Sequence, residues 1–181
     1  MTYGYNIENF LAAVRPKDLA RSHRYQFRFT PPRSLSGVTD RGSDFAEMSL
    51  YTEDATIPGT LVGTSPLRLN NQNYQRATGI DYMGDSITVT FLVEDDWRVK
   101  DLFTSWMEKI VDPISREVSY PADYYSEIYI DALDQSNEPK AGWKLWDAFP
   151  RSVAPAALSY GNTQVVRLPV TFTYRKWTKE Y

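Results

Sequence analysis

The chain has 181 residues. At roughly 100–200 residues per domain that is one domain, able to bury about 70% of its unfolded surface without covalent staples. Its 20 basic and 23 acidic residues leave a net charge of −3, without the basic excess of a dedicated nucleic-acid binder. With no cysteine and a single histidine, His23, disulfide frameworks, thiolate zinc sites, cysteine nucleophiles and multi-histidine metal centres are excluded.

The N-terminus lacks a basic start followed by an apolar run, and no stretch approaches the ~20 apolar residues that cross a bilayer. The expectation is a soluble protein with no membrane insertion. Aromatic residues reach 14%, and their large apolar faces with polar tips suit interfaces as well as a β-rich core.

In chain order, Asn6 to Val14 reads as a short helix, with Asn6 as cap and Ile7, Phe10, Leu11 and Val14 at helical spacing. Arg24 to Phe29 alternates, placing Tyr25, Phe27 and Phe29 on one face of a strand that Pro31 and Pro32 end. Arg33 to Ser43 has the Ser, Gly and Arg content of a loop. Glu47 to Ile57 predicts one or two short strands closed by Pro58-Gly59. The next twenty residues, Thr60 to Gly79, are amide-rich and poor in apolar residues, too long for a plain connection. A protruding hairpin or functional loop is expected there.

Asp85 to Val93 is the clearest strand. Ile87, Val89, Phe91 and Val93 alternate with Ser86, Thr88, Thr90 and Leu92, so one face is apolar and the other largely hydroxylated. Glu94-Asp95-Asp96 follows and then a helix over Trp97 to about Val111, in which Val99, Leu102, Phe103, Trp106 and Ile110 form the core-facing stripe. Asp95 or Asp96 is the expected N-cap, and Pro113 ends the element. Tyr124 to Leu133 alternates again, Asp134 to Pro139 is a turn, and Trp143 to Phe149 predicts a further short strand. The last strand spans Gln164 to Trp177, with Val166, Leu168, Val170, Phe172 and Tyr174 on one face and Thr171 and Thr173 on the other. Pro169 has no N–H and belongs at an edge or bulge. The fold class is α+β: an antiparallel β-sandwich or barrel subunit with one main packed helix and a long protruding hairpin.

Nothing in the sequence supports catalysis. There is no Gly-x-Ser-x-Gly turn and no phosphate-binding Gly-rich loop. Asp131, Asp134, Asn137 and Glu138 lack the ligand spacing and central glycine of a calcium loop. No metal or cofactor is expected. Trp143, Trp146 and Tyr160 offer one alternative, the stacking platform of a monomeric carbohydrate-binding module. Against it stands a sheet covered on one side by a single helix, with Ser86, Thr88, Thr90, Thr171 and Thr173 on the open side. Joining copies edge to edge would remove its exposed edges and give a hydroxyl-lined inner wall.

The ordered set of Arg24 to Phe29, Ile57-Pro58-Gly59, the long polar hairpin, Glu94-Asp95-Asp96-Trp97 leading into Phe103-Thr104-Ser105-Trp106, Leu145 to Pro150, a short strand at Ala157 to Tyr160 and Val166 to Trp177 resembles the tail tube protein of contractile-tailed bacteriophages, related to the type VI secretion tube. The resemblance runs from about Ala20 to the C-terminus, within a single domain of residues 1–181 whose first 20 residues form a helical segment. It implies a non-enzymatic virion protein that forms homo-hexameric rings, stacked into a tube inside a contractile sheath. Sheath and baseplate proteins would be its partners, and double-stranded DNA would pass without specific binding. Its place would be the virion tail, assembled in the host cytoplasm; a tube-initiating baseplate protein of the same fold is the near alternative. Carried onto this chain, residues 60–79 become the hairpin that reaches the neighbouring ring, through Asn70, Asn71, Gln72, Asn73, Tyr74, Gln75 and Arg76. The lumen face would carry Ser86, Thr88, Thr90, Thr171 and Thr173. Arg28, Arg167 and Arg175 fall on the open faces, where they would either pair with acids such as Glu127 and Asp131 or lie at subunit contacts.

Overall fold

A computed structural model describes residues 7–14, 19–35, 47–69, 72–82, 85–156, 158–161 and 163–181. Helix α1 covers Ile7–Val14; its expected cap, Asn6, lies outside the described residues, as does 36–43 of the expected loop, whose start is a 3₁₀ turn at Arg33–Leu35. Seven strands form one antiparallel sheet: β1 (Tyr25–Phe29), β2 (Thr52–Ala55), β5 (Ser86–Leu92), β6 (Ser126–Leu133), β7 (Pro139–Val153), β8 (Arg167–Thr173) and β9 (Lys176–Lys179). Their order is β1-β6-β7-β8-β5-β2, with β9 also on β7. Strands β3 (Leu61–Leu69) and β4 (Gln72–Asp81) pair only with each other within this topology.

The sheet folds over on itself because β7 serves two ladders. Its first part, to Ala148, pairs with β6, and Trp143 to Trp146 also pair with β9; Phe149 to Val153 then pair with β8. Between them Asp147 has φ +56°, and the register against β6 slips between Ser126 and Ile128, as at a β-bulge that turns a strand. The expected short strand Trp143–Phe149 is thus the middle of a fifteen-residue strand. Gly142 and the buried Pro150 obscure its ends in the sequence, and the bend breaks its period. The expected strand Gln164–Trp177 is likewise two strands, interrupted at Tyr174 and Arg175 beside the same bend, where Arg175 N–H donates to Trp146 O at 3.0 Å. Leu158 and Ser159 are not in a strand and Tyr160 begins a turn, while Ala157 is outside the described residues. Pro169 lies opposite the end of β7, where Ala154 N–H donates to its carbonyl at 2.9 Å and no further donor is needed.

The two leaves face each other across an aromatic core. Phe27 on one leaf lies 5.8 Å from Phe91 and 6.2 Å from Phe172 on the other. Helix α2 (Arg98–Ile110) covers this core: Phe103 sits 5.0 Å from Phe91 and 5.7 Å from Phe172, and Trp106 stacks on Phe29 at 5.9 Å. Val99, Phe103, Trp106 and Ile110 are buried and Leu102 packs half-buried against them. The helix starts differently from expectation. Trp97, with φ +57°, is the N-cap residue and no side chain caps the helix. Trp97 N–H donates to Glu94 O in a turn, and Asp96 pairs with the Arg98 guanidinium while accepting a long bond of 3.5 Å from the Arg98 backbone N–H, the first amide of the helix. After α2 the chain makes a bridge between Val111 and Val118 and a one-turn helix, α3 (Pro121–Tyr124), before entering β6.

Candidate functional site

Two outer faces and one projection are available for function. On the leaf of β2, β5, β8 and the end of β7, Ser86 pairs with Thr173, Thr88 with Thr171 and Thr90 with Pro169. All five predicted hydroxyl residues therefore lie on one face of two adjacent strands. Thr88 and Thr171 hydroxyls are 3.3 Å apart, and Thr173 donates to Asp85 O at 2.7 Å. One end of this face is closed by Arg167, whose guanidinium makes a two-point contact with the Glu53 carboxylate at 2.6 and 2.8 Å. That donor holds the Glu53 carboxyl below its ordinary range.

The outer face of the other leaf is a ladder of cations and rings. Arg28 lies over Tyr129 at 5.3 Å; Lys144 lies 5.2 Å from Tyr129 and 3.8 Å from Trp146; Lys176 reaches Trp146 from 5.5 Å. Lys144 also pairs with Glu127 at 2.8 Å, and Tyr129 donates to the same carboxylate at 2.7 Å. Those two bonds pull the Glu127 pKa below its usual value. Arg28 pairs at 2.5 Å with Asp131, whose other oxygen accepts from Tyr181 at 2.7 Å, a bond that pushes the Tyr181 phenol up to about 12. Gly142 makes room for this cluster, since a Cβ there would come within 2.7 Å of Asp131 Oδ1. Arg175 pairs with Asp147 at 2.5 Å. Each arginine left open by the sequence has its acid: Asp131 for Arg28, Glu53 for Arg167 and Asp147 for Arg175.

This geometry removes the sugar platform. Trp143 packs against the core, while Trp146 lies with Lys144 and Lys176 on its ring and donates to Thr178 at 2.9 Å. Tyr160 is on a fully exposed turn. Asp134, the centre of the imagined calcium loop, spends Oδ1 on the amides of Ser136 and Glu138. Among the described residues no acidic or histidine cluster could hold a metal ion.

The projection is the β3–β4 hairpin. Every described residue from Gln72 to Asp81 is exposed. Asn70 and Asn71 lie outside the described residues; Gln72, Asn73, Tyr74, Gln75 and Arg76 run along β4. Thr78 is bulged out, because Gly63 pairs with Gly79 and Thr64 already with Ala77. Gly63 lies close to the bulge: a Cβ there would stand 3.0 Å from the Thr78 hydroxyl, which would have to shift slightly. Leu67 pairs with Tyr74 and Ser65 with Arg76, so these four share one face near the tip. At the base, Val62 pairs with Ile80 on the opposite face. A two-stranded ribbon is marginal in water. This one also exposes apolar pairs on both faces, the mark of a surface built to be covered.

A sheet doubled over its main helix, with a two-faced apolar hairpin, is what an assembly subunit requires, and comparison with known proteins decides which kind. The family model of the phage tail tube protein matches residues 20–180. The chain belongs to the phage tail tube protein family. No curated protein matches its sequence closely enough to count as a relative.

Solved structures share the tail tube fold at low identity. The chain resembles a protein of the anti-feeding prophage baseplate, solved with six-fold symmetrisation, at 16% identity and a TM-score of 0.61, covering 90% of this chain and 96% of that one. It resembles a protein of the sheath-tube complex of an extracellular contractile injection system at 11% identity and a TM-score of 0.60, covering 93% and 96%. For the tube-terminating cap of the anti-feeding prophage the values are 14%, 0.61, 93% and 98%. The family is that of a tail tube protein, and these neighbours come from a baseplate, a sheath-tube complex and a tube-terminating cap. The Glu127–Lys144–Tyr129 and Asp131–Tyr181–Gly142 clusters escaped sequence reasoning. Their members are brought together by strand register, and only Gly142 within an otherwise strand-like run hinted at a close approach.

Proposed function

We propose that this chain is a non-enzymatic tail tube subunit that forms homo-hexameric rings, and that the rings stack into a conduit for double-stranded DNA inside a contractile sheath. The observation that carries the reading is the hairpin. It belongs to no ladder of the main sheet and presents apolar pairs on opposite faces at base and tip, as a segment inserted between neighbouring copies would. In this reading the whole chain, 1–181, is one tube domain with an N-terminal helical segment over 1–20. The hairpin residues Asn70 to Arg76 meet the adjacent ring, and Ser86, Thr88, Thr90, Thr171 and Thr173 line the lumen. A conduit must not hold phosphate. The hydroxyl face suits that need, and its terminal arginine is already paired with Glu53. Sheath and baseplate proteins would complete the contacts in a virion tail assembled in the host cytoplasm.

Negative-stain microscopy of the purified protein tests the proposal. Annuli of uniform diameter, stacking into tubes at higher concentration, are expected. A chain that remains monomeric at every concentration would refute it. Rings that never lengthen alone would indicate the tube-initiating baseplate role instead.

A further inference from the structure

Beside the doubled sheet, the C-terminal half of α2 and the end of β7 enclose a cleft of about 510 Å³. Its apolar lining includes Met107, Val111, Phe149 and Pro150, and its charged members come from opposite sides, Glu108 from α2 and Arg151 from β7. The apolar surface continues beyond it, since Val111, Ile114, Val118 and Tyr120 are all exposed. One chain therefore carries both an apolar recess and, on its hairpin, an apolar prominence. A complementary pair of unlike surfaces on one subunit produces a head-to-tail contact that repeats from copy to copy.

We infer that the cleft receives the hairpin tip of a second copy of this chain, with the Leu67–Tyr74 pair against its apolar lining. Charge order selects this occupant. Along one face of β4 the tip reads Gln72, Tyr74, Arg76: an amide that already accepts the Tyr74 hydroxyl at 2.5 Å, an apolar ring, then a cation. The cleft reads base, apolar lining, acid. Seated in one direction only, Arg76 meets Glu108 and the Gln72 amide oxygen meets the Arg151 guanidinium; reversed, Arg76 would face Arg151. The exposed apolar residues of α1, Ile7 and Leu11, are the rival occupant; its Glu8 complements Arg151, but Ile7–Val14 contains no base for Glu108, so α1 satisfies one wall and the hairpin tip both. The inference rests on the stacking proposed above and adds the receiving site.

The absence of cysteine makes the test direct. A variant carrying both Leu67→Cys and Val111→Cys, assembled and mildly oxidised, should give a ladder of disulfide-linked multimers on a non-reducing gel. Arg76→Glu and Glu108→Arg should each reduce the polymerised fraction at least tenfold at unchanged melting temperature, and the double reversal should restore it. Annuli without the ladder, a ladder from Leu11→Cys with Val111→Cys instead, or a double reversal no better than the singles would overturn the inference and leave ring formation standing. Absence of annuli from the unmodified protein would overturn both.

Discussion

At Trp106 the indole N–H donates to Tyr124 O at 3.0 Å while the ring lies against Phe29, Phe103 and Phe172, so one side chain ties α2 to both leaves and to the turn before β6. Trp106→Ala should cost about 3–5 kcal/mol in chemical denaturation, the range for emptying a buried aromatic site. Trp106→Phe keeps most of the volume but orphans the Tyr124 carbonyl, and should cost about 1–3 kcal/mol. On the outer face Glu127 makes a different kind of contribution. Its pKa is lowered by the bonds from Lys144 and Tyr129, so the stability it adds is present above the ordinary carboxylate value of 4.5 and is lost as pH falls through the depressed folded value. Glu127→Gln should therefore melt below the parent at pH 7, and the gap should close as pH falls below 4.5 and through the depressed folded value. A gap independent of pH would mean that packing, not charge, holds this face.

At the scale of elements, the hairpin separates folding from assembly. Because β3 and β4 join no main-sheet ladder, deleting residues 70–76 should leave the melting transition in place while abolishing stacked tubes under the microscope. Long tubes from that deletion would show that stacking depends on another surface. The hairpin was legible because an amide-rich stretch of that length has no other place in a compact domain. Its two apolar faces were not, since the bulge at Thr78 changes the parity of β4 midway. The same contrast runs through the sheet. In β5, Ile87, Val89 and Phe91 face the core and Ser86, Thr88 and Thr90 face out, so one unbroken period-2 pattern reports both faces. In β7 the pattern fails because Asp147 turns the strand from one ladder to the next. At α2 the acids before the helix signal its start, but the αL backbone at Trp97 displaces the cap by one or two positions and leaves Asp96 to Arg98.

For the whole molecule, the decisive feature is that its two outer faces differ in kind. One is short, hydroxylated and pairs its terminal arginine; the other is a dense ladder of paired charges and rings. In the proposed tube the first face suits a wall past which a polyanion slides, whereas on the second Lys176, seated on the Trp146 ring, would release counterions on contact and hold the duplex. Placing a lysine at the centre of the first face is therefore the sharpest probe of orientation. Thr88→Lys and Thr171→Lys should still fold, since Thr88 is exposed and Thr171 half-buried on the surface. Repeated around each ring of the proposed tube, the added charge should make assembled tubes retain a short DNA duplex in sedimentation, with retention falling steeply as salt rises. Asp101→Lys, on the exposed face of α2 and outside both the cleft and any lumen so oriented, should retain far less. Equal retention by Asp101→Lys and Thr88→Lys would place the hydroxyl face away from the axis, and the charged ladder would then have to be tested as the inner wall by reversing Lys176.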